Sequence, residues 1–173
     1  MTYEEVFSAP EPLQLPHEEQ VRRACDLILR SASAREVSSA KMTAKLSRKG
    51  FSSQAIAEAL DSAQQIGAVD DVRYCNCLIR TTLSQGKGLS FALREVESLG
   101  LIPEDLEAFQ AFQEDEEAGM FDRALDLLRR HPTRSKNVRG AAYKKLIAAG
   151  YSPDIASDAS SAYAKEAHLA AGH

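Results

Sequence analysis

Tryptophan is absent from this chain of 173 residues, and aromatic residues make up only 6% of it. That leaves little material for a base-stacking platform. Nine glycines and six prolines are too few for a collagen-like or low-complexity disordered chain. No apolar run approaches the ~18 residues of a membrane span. Met1 to Pro16 is acidic and lacks the basic-then-apolar order of a secretory signal, so a cytoplasmic protein is expected. The cysteines are Cys25, Cys75 and Cys77, a spacing that suits neither a disulfide framework nor a zinc site. Free, mostly buried thiols are expected instead. His17, His131, His168 and His173 are scattered, with no His-x-x-x-His pattern among them. Gln85-Gly86-Lys87-Gly88 is not a phosphate loop. Thr81 stands where the earlier glycine is needed, and Gly88 where the Ser or Thr after the lysine is needed. No nucleophile has a recognisable base. The chain therefore reads as a non-enzyme, with no catalytic residue, no cofactor and no metal site.

What the chain has is helix-forming composition and a repeat. Hydrophobic residues are 44% and charged residues 27%, rich in Ala, Leu, Glu, Lys, Arg and Gln. Gly50, Gly100 and Gly150 recur at intervals of 50, each followed by a bulky residue (Phe51, Leu101, Tyr151). Leu46, Val96 and Leu146 stand four residues before them, and Arg23, Arg73, Arg123 and Arg30, Arg80, Arg130 keep the same register. Each unit reads as three helices. The first is expected over 18–33, 70–85 and 118–131, and the second over 39–49, 89–99 and 136–149. Ser38 or Ser39, Ser90 and Ser135 are candidate N-caps for the second helices, and the glycines end them in a left-handed conformation. The third helix follows at once, with Phe51 stapled to Ile56 and Leu101 to Leu106. In the third unit the aliphatic residue is Ile155 and position 156 is Ala, which predicts a slightly rotated helix. Asp70 and Asp71, at a helix start, read as caps rather than metal ligands.

The expected fold is all-α: an elongated row of three tandem three-helix modules, resembling helix-turn-helix units, with a period of about 50 residues. The boundaries are an acidic tail at 1–17, modules at 18–67, 68–117 and 118–173, and a short linker across Gln113–Gly119. Such small units bury little core alone, so neighbours either stack on one another or each remains marginal.

Net charge is −4, but it is unevenly spread. Residues 1–20 carry five acids and no Lys or Arg, and residues 104–122 carry eight acids and no base. Residues 123–151 carry eight bases and one acid, and residues 21–103 carry twelve bases and eight acids. Basic modules between acidic segments can attract a polyphosphate, though a solvated surface accounts for the charge equally well. Base reading by the third helices is disfavoured, because Glu58, Asp61, Glu104, Asp105 and Glu107 would meet phosphate.

Several blocks resemble the RecX family of regulatory proteins. They are Lys45-Leu46-Ser47-Arg48-Lys49-Gly50-Phe51 with Ile56 and Leu60, and then Gly67-Ala68-Val69-Asp70-Asp71-Val72-Arg73-Tyr74. Gly86-Lys87-Gly88, Leu93-Arg94-Glu95-Val96 and Gly100-Leu101 continue the likeness. It covers about residues 20–165. Departures are Cys75 for the usual Ala, Leu99 for a basic residue, and Lys41-Met42 for Glu-Leu. The resemblance implies a monomeric modulator of the RecA recombinase in DNA repair, homologous recombination and the SOS response. It would bind RecA filaments on single-stranded DNA, with duplex DNA a further candidate, through backbone phosphates. It would inhibit ATP turnover, strand exchange and co-protease activity, without a cofactor or a membrane. The candidate contact residues are Arg48, Lys49, Arg80, Lys87, Arg94, Arg129, Arg130, Arg139, Lys144 and Lys145. Asp70, Asp71, Arg73 and Tyr74, with Gly50, Gly100 and Gly150, form the structural motif. The rival readings are a helical DNA-binding or transcription-regulating protein acting without a recombinase, and a scaffold that binds only protein.

Overall fold

Helices form wherever the apolar residues recur at three- and four-residue spacing. In the computed structural model, which describes residues 12–115 and 119–171, every regular element is helical. They are α1 (His17–Ala34), α2 (Ser39–Ser47), α3 (Ser53–Gln65), α4 (Asp71–Ser84), α5 (Ser90–Ser98), a 3-10 turn (Pro103–Asp105), α6 (Glu107–Asp115), α7 (Met120–Arg130), α8 (Val138–Ala148) and α9 (Pro153–Ala171). None among the described residues is long and apolar enough to cross a membrane. Expectations for the acidic tail at residues 1–11, for linker residues 116–118 and for residues 172–173 lie outside the described residues. The chain divides into two compact units, up to Tyr74 and from Cys75 onward.

In the first unit α1 packs on α3. Ala24 and Ile28 of α1 meet Ile56, Ala59 and Ala63 of α3, while Met42 and Leu46 of α2 close the core with Val37, Phe51 and Val69. The alanines let the helix axes approach, and the larger side chains fill the space left. Ser38 caps α2 by accepting from the Lys41 amide (3.3 Å), and Ser52 caps α3 by accepting from the Ala55 amide (3.3 Å). Gln20, nearly buried, ties the incoming segment down. Its amide nitrogen donates to the Leu13 and Leu15 carbonyls, and its oxygen accepts from the Ser52 amide (2.9 Å).

The second unit buries two sets of residues. Met120, Ala124 and Leu128 of α7 pack with Ala142, Leu146, Tyr151, Ala156 and Ala159 of α8 and α9. Cys75, Ile79, Leu89, Ala92, Val96 and Leu106, from α4 to the segment before α6, are also buried. Two backbone bonds and one side-chain hydroxyl tie the segment 86–90 to the turn at 149–151. Gly88 donates to the Ala149 carbonyl (3.1 Å), Ser90 donates to the Gly150 carbonyl (3.0 Å), and the Tyr151 hydroxyl donates to the Gly86 carbonyl (2.7 Å). A Cβ at Gly88 would overlap the Gly150 carbonyl.

The three glycine turns share one geometry. Gly50, Gly100 and Gly150 have φ of 82°, 73° and 88°, the left-handed region that glycine enters without cost. The residue after each donates to a carbonyl five back: Phe51 to Leu46 (3.3 Å), Leu101 to Val96 (3.2 Å) and Tyr151 to Leu146 (3.1 Å).

Some local expectations are corrected. Asn137 rather than Ser135 caps α8, its side chain accepting from the Gly140 amide (2.9 Å). Ser90 lies inside α5 and the cap position is Leu89, which offers no side-chain acceptor. The helix expected directly after Gly100 is interrupted. Pro103 opens a 3-10 turn, Leu106 is extended and buried, and α6 begins only afterwards, with Asn76 accepting from the Ala108 amide (2.8 Å). In α9 Ala156 is buried and Ile155 packs half-buried against the same core. All three cysteines are free, but only Cys75 is buried. Cys25 is half-buried, with its thiol pushed upward by desolvation, and Cys77 is exposed.

Candidate nucleic-acid interface

The ten candidate contact residues fall into groups with different surroundings. Arg129 is held by carboxylates: its guanidinium grips Glu166 through two bonds (2.7 and 3.2 Å) and also reaches Asp126 (3.4 Å). The pairing raises the Arg129 pKa and lowers that of Glu166, in each case chiefly through the hydrogen bond between them. Arg80 pairs with Glu107 at 3.2 Å. Lys145 donates to the His131 carbonyl at the end of α7, where a cation meets the negative end of the helix dipole. Arg130 donates to the Asp126 carbonyl (3.4 Å) and lies close to Gly86.

The others face solvent. Arg94 stacks over the exposed ring of Phe91, 4.6 Å from its centroid. Lys87 and Lys144 are exposed. Arg139 lines a small cleft with Asn137, Tyr143 and Ser157. Lys49 lies beside Arg23, Asp26 and Arg30.

The Asp-Asp-x-Arg-Tyr block is engaged within the first unit. Asp70 accepts from the Arg73 amide (2.9 Å) and so caps α4. Asp71 reaches α2, accepting from the Ser39 amide (2.8 Å) and from the Ser39 hydroxyl. Arg73 bonds Glu36 (2.8 Å) and the Gly67 carbonyl (3.1 Å), and the Glu36 hydrogen bond is the main cause of its raised pKa. Tyr74 is buried, its hydroxyl accepting from Lys41, whose ammonium sits 4.8 Å from the ring centroid.

One arrangement escaped the sequence reading. Between α1 and α2 runs a cleft of about 930 Å³ lined by Arg30, Arg35, Lys41, Lys45 and Arg48. Only Arg48 of these stood among the candidates. The sole carboxylate in the lining is Glu36, already bonded to Arg73. The signal was present in the numbering. Leu27, Arg30, Ser31 and Ala34 form one i, i+3, i+4, i+7 stripe on α1, and Lys41, Ala44, Lys45 and Arg48 form the same stripe on α2. Counting charge along the chain averages such stripes away.

No protein-family model matches the chain. The regulatory protein RecX of Legionella pneumophila (strain Corby) is 34% identical over 82 residues, covering 47% of this chain and 55% of that protein. The chain thus matches about half the length of that relative. The regulatory protein RecX of Mycobacterium sp. (strain JLS) is 32% identical over 132 residues, 75% of this chain and 69% of that protein. The chain belongs to the RecX family. Its fold agrees with solved RecX structures. The crystal structure of RecX from Lactobacillus salivarius superposes with a TM-score of 0.58 at 16% identity, over 84% of this chain and 97% of that one. A second crystal structure, of a regulatory protein RecX, gives 0.60 at 19% identity over 80% and 71%. The cleft and the exposed cations of α5 and α8 are among the positively charged features of the described residues.

Proposed function

We propose that this RecX-family chain is a non-enzymatic cytoplasmic regulator of the RecA recombinase. It binds the RecA filament on single-stranded DNA and inhibits its ATPase, strand-exchange and co-protease activities. Family membership carries the reading, through the Mycobacterium relative that the chain matches over most of its length. Basic side chains in every module add to it. Several weak contacts, joined by short connections, raise the effective concentration of one another on a repeating filament. Of the candidate cations, Arg80 and Arg129 are held by Glu107 and Glu166, so Arg48, Lys49, Lys87, Arg94, Arg130, Arg139, Lys144 and Lys145 supply the contact. The protein acts as a monomer built of the modules 18–67, 68–117 and 118–173.

The test titrates the full chain into its host recombinase on single-stranded DNA and reads ATP hydrolysis and strand exchange. Inhibition is the expected result. Inhibition well below one protein per recombinase assigns the action to filament ends, and inhibition near equal stoichiometry assigns it to groove coating. No effect on preformed filaments refutes the reading, and selection of duplex sequences then tests a DNA-binding regulator acting without a recombinase.

A further inference from the structure

We infer that the cleft between α1 and α2 is a binding site for the phosphodiester backbone of single-stranded DNA. The inference rests on the proposed function only in taking such DNA as the ligand. Both walls present cations: Arg30 on α1 with Arg35, the extended residue that follows it, on one side, and Lys41, Lys45 and Arg48 along one stripe on the other. Like charges gathered in one cleft repel each other, and an anion lying between them removes that cost. Arg30 and Arg48 spend only their Nε donors, on the Asp26 and Ala44 carbonyls of their own helices (3.1 and 3.2 Å). Their terminal nitrogens, and the guanidinium of Arg35, meet no carboxylate among the described residues.

Helix dipoles account for part of this pattern. Arg35 lies at the negative end of α1 and Arg48 at that of α2, while Arg30 stands before the last turn of α1. They do not explain why the two rows face each other across one cleft. A polyanion does, because successive phosphates can alternate between the walls. Planar guanidinium forks match the paired oxygens of a phosphodiester. Leu27 and Ala44, less buried than the core residues Val37 and Met42 behind them, give the lining a small apolar component for sugar and base faces. A flexible single strand can thread between two helices, whereas a rigid duplex cannot. The acidic alternative is a Glu-rich peptide, whose carboxylates lack the tetrahedral spread of oxygens that a phosphodiester offers to cations on two walls.

The experiment uses the full chain and fluorescein-labelled oligo(dT), read by anisotropy across a salt series. Arg35→Glu/Arg48→Glu is compared with wild type and with Arg22→Glu, an exposed α1 residue outside the cleft. The charge-neutral pair Arg35→Gln/Arg48→Gln guards against misfolding, with helicity checked by circular dichroism. The cleft reversal is expected to weaken binding about tenfold or more, and to make the salt slope shallower by about 1.4 for two lost phosphate contacts. The neutral pair should show the same change in slope, and Arg22→Glu less than about a twofold effect. Unchanged affinity and slope in folded cleft variants overturn the inference. So does loss of polyglutamate binding with oligo(dT) binding intact, which assigns the cleft to an acidic peptide. Recombinase ATPase is read in parallel. A wild-type protein that inhibits it while the cleft variants bind oligo(dT) normally refutes the cleft alone. Cleft-dependent DNA binding with no effect on the recombinase refutes the proposed function alone.

Discussion

Replacing Gly88 by alanine tests whether the loop at residues 86–88 is a docking element rather than a loose connector. Gly88 is buried and its φ is not positive, so its need for glycine is spatial, not torsional. An added methyl would run into the Gly150 carbonyl and the Tyr151 amide, both main-chain groups that cannot rotate aside. The loop must withdraw, and three bonds go with it: Gly88 to Ala149 (3.1 Å), Ser90 to Gly150 (3.0 Å) and Tyr151 to Gly86 (2.7 Å). At about 1 kcal/mol net for each bond, the loss is about 3 kcal/mol. For a chain of this size that lowers Tm by about 6–12 °C. Thermal unfolding followed by circular dichroism at fixed pH reads the shift. Amide exchange at Gly88 and Ser90 should lose its protection in the variant. A Gly88→Ala protein melting within about 2 °C of wild type, with both amides still protected, refutes the reasoning.

Gly100→Ala separates the two demands on glycine. Its φ is 73° but a Cβ there meets nothing within 4 Å, so only torsional strain of about 1–2 kcal/mol is expected. Its Tm should fall less than that of Gly88→Ala in the same melt, and an equal or larger fall would contradict the distinction. Leu46→Ala removes a fully buried side chain from the first-unit core and should cost about 2–5 kcal/mol in urea unfolding. A loss below about 1 kcal/mol would mean the site collapses around the cavity. Glu166→Gln tests the Arg129 pair through pH. Glu166 is held below the usual carboxylate range by Arg129, so its contribution is complete above that range and is lost as pH falls through the lowered value. The variant should melt below wild type at about pH 7 and together with it at about pH 2. A difference that persists undiminished in acid would rule out the ion pair as its source.

Much of the fold was legible because its signals are local. The spacing of Gly50, Gly100 and Gly150 marks three left-handed helix ends, and a left-handed residue is a property of one position and its neighbours. Apolar recurrence along α1, α2 and α7 shows their inward faces, and Ser38 and Ser52 announce their helices within three residues. The caps that failed, Ser90 and Ser135, failed because a neighbouring residue took the position, a difference of one or two residues that composition does not resolve.

The candidate site was read less completely. Arg80 and Arg129 are bases like any other in the chain, and only the structure brings them to Glu107 and Glu166, 27 and 37 residues away. The cleft of Arg30, Arg35, Lys41, Lys45 and Arg48 exists because two helices bring separate stripes face to face. By itself the sequence determined the all-helical class, the repeat and the helix ends, since these depend on conformational preferences of adjacent residues. Tertiary structure alone decided which cations meet carboxylates and which gather in one cleft, since charge acts through space and not along the chain.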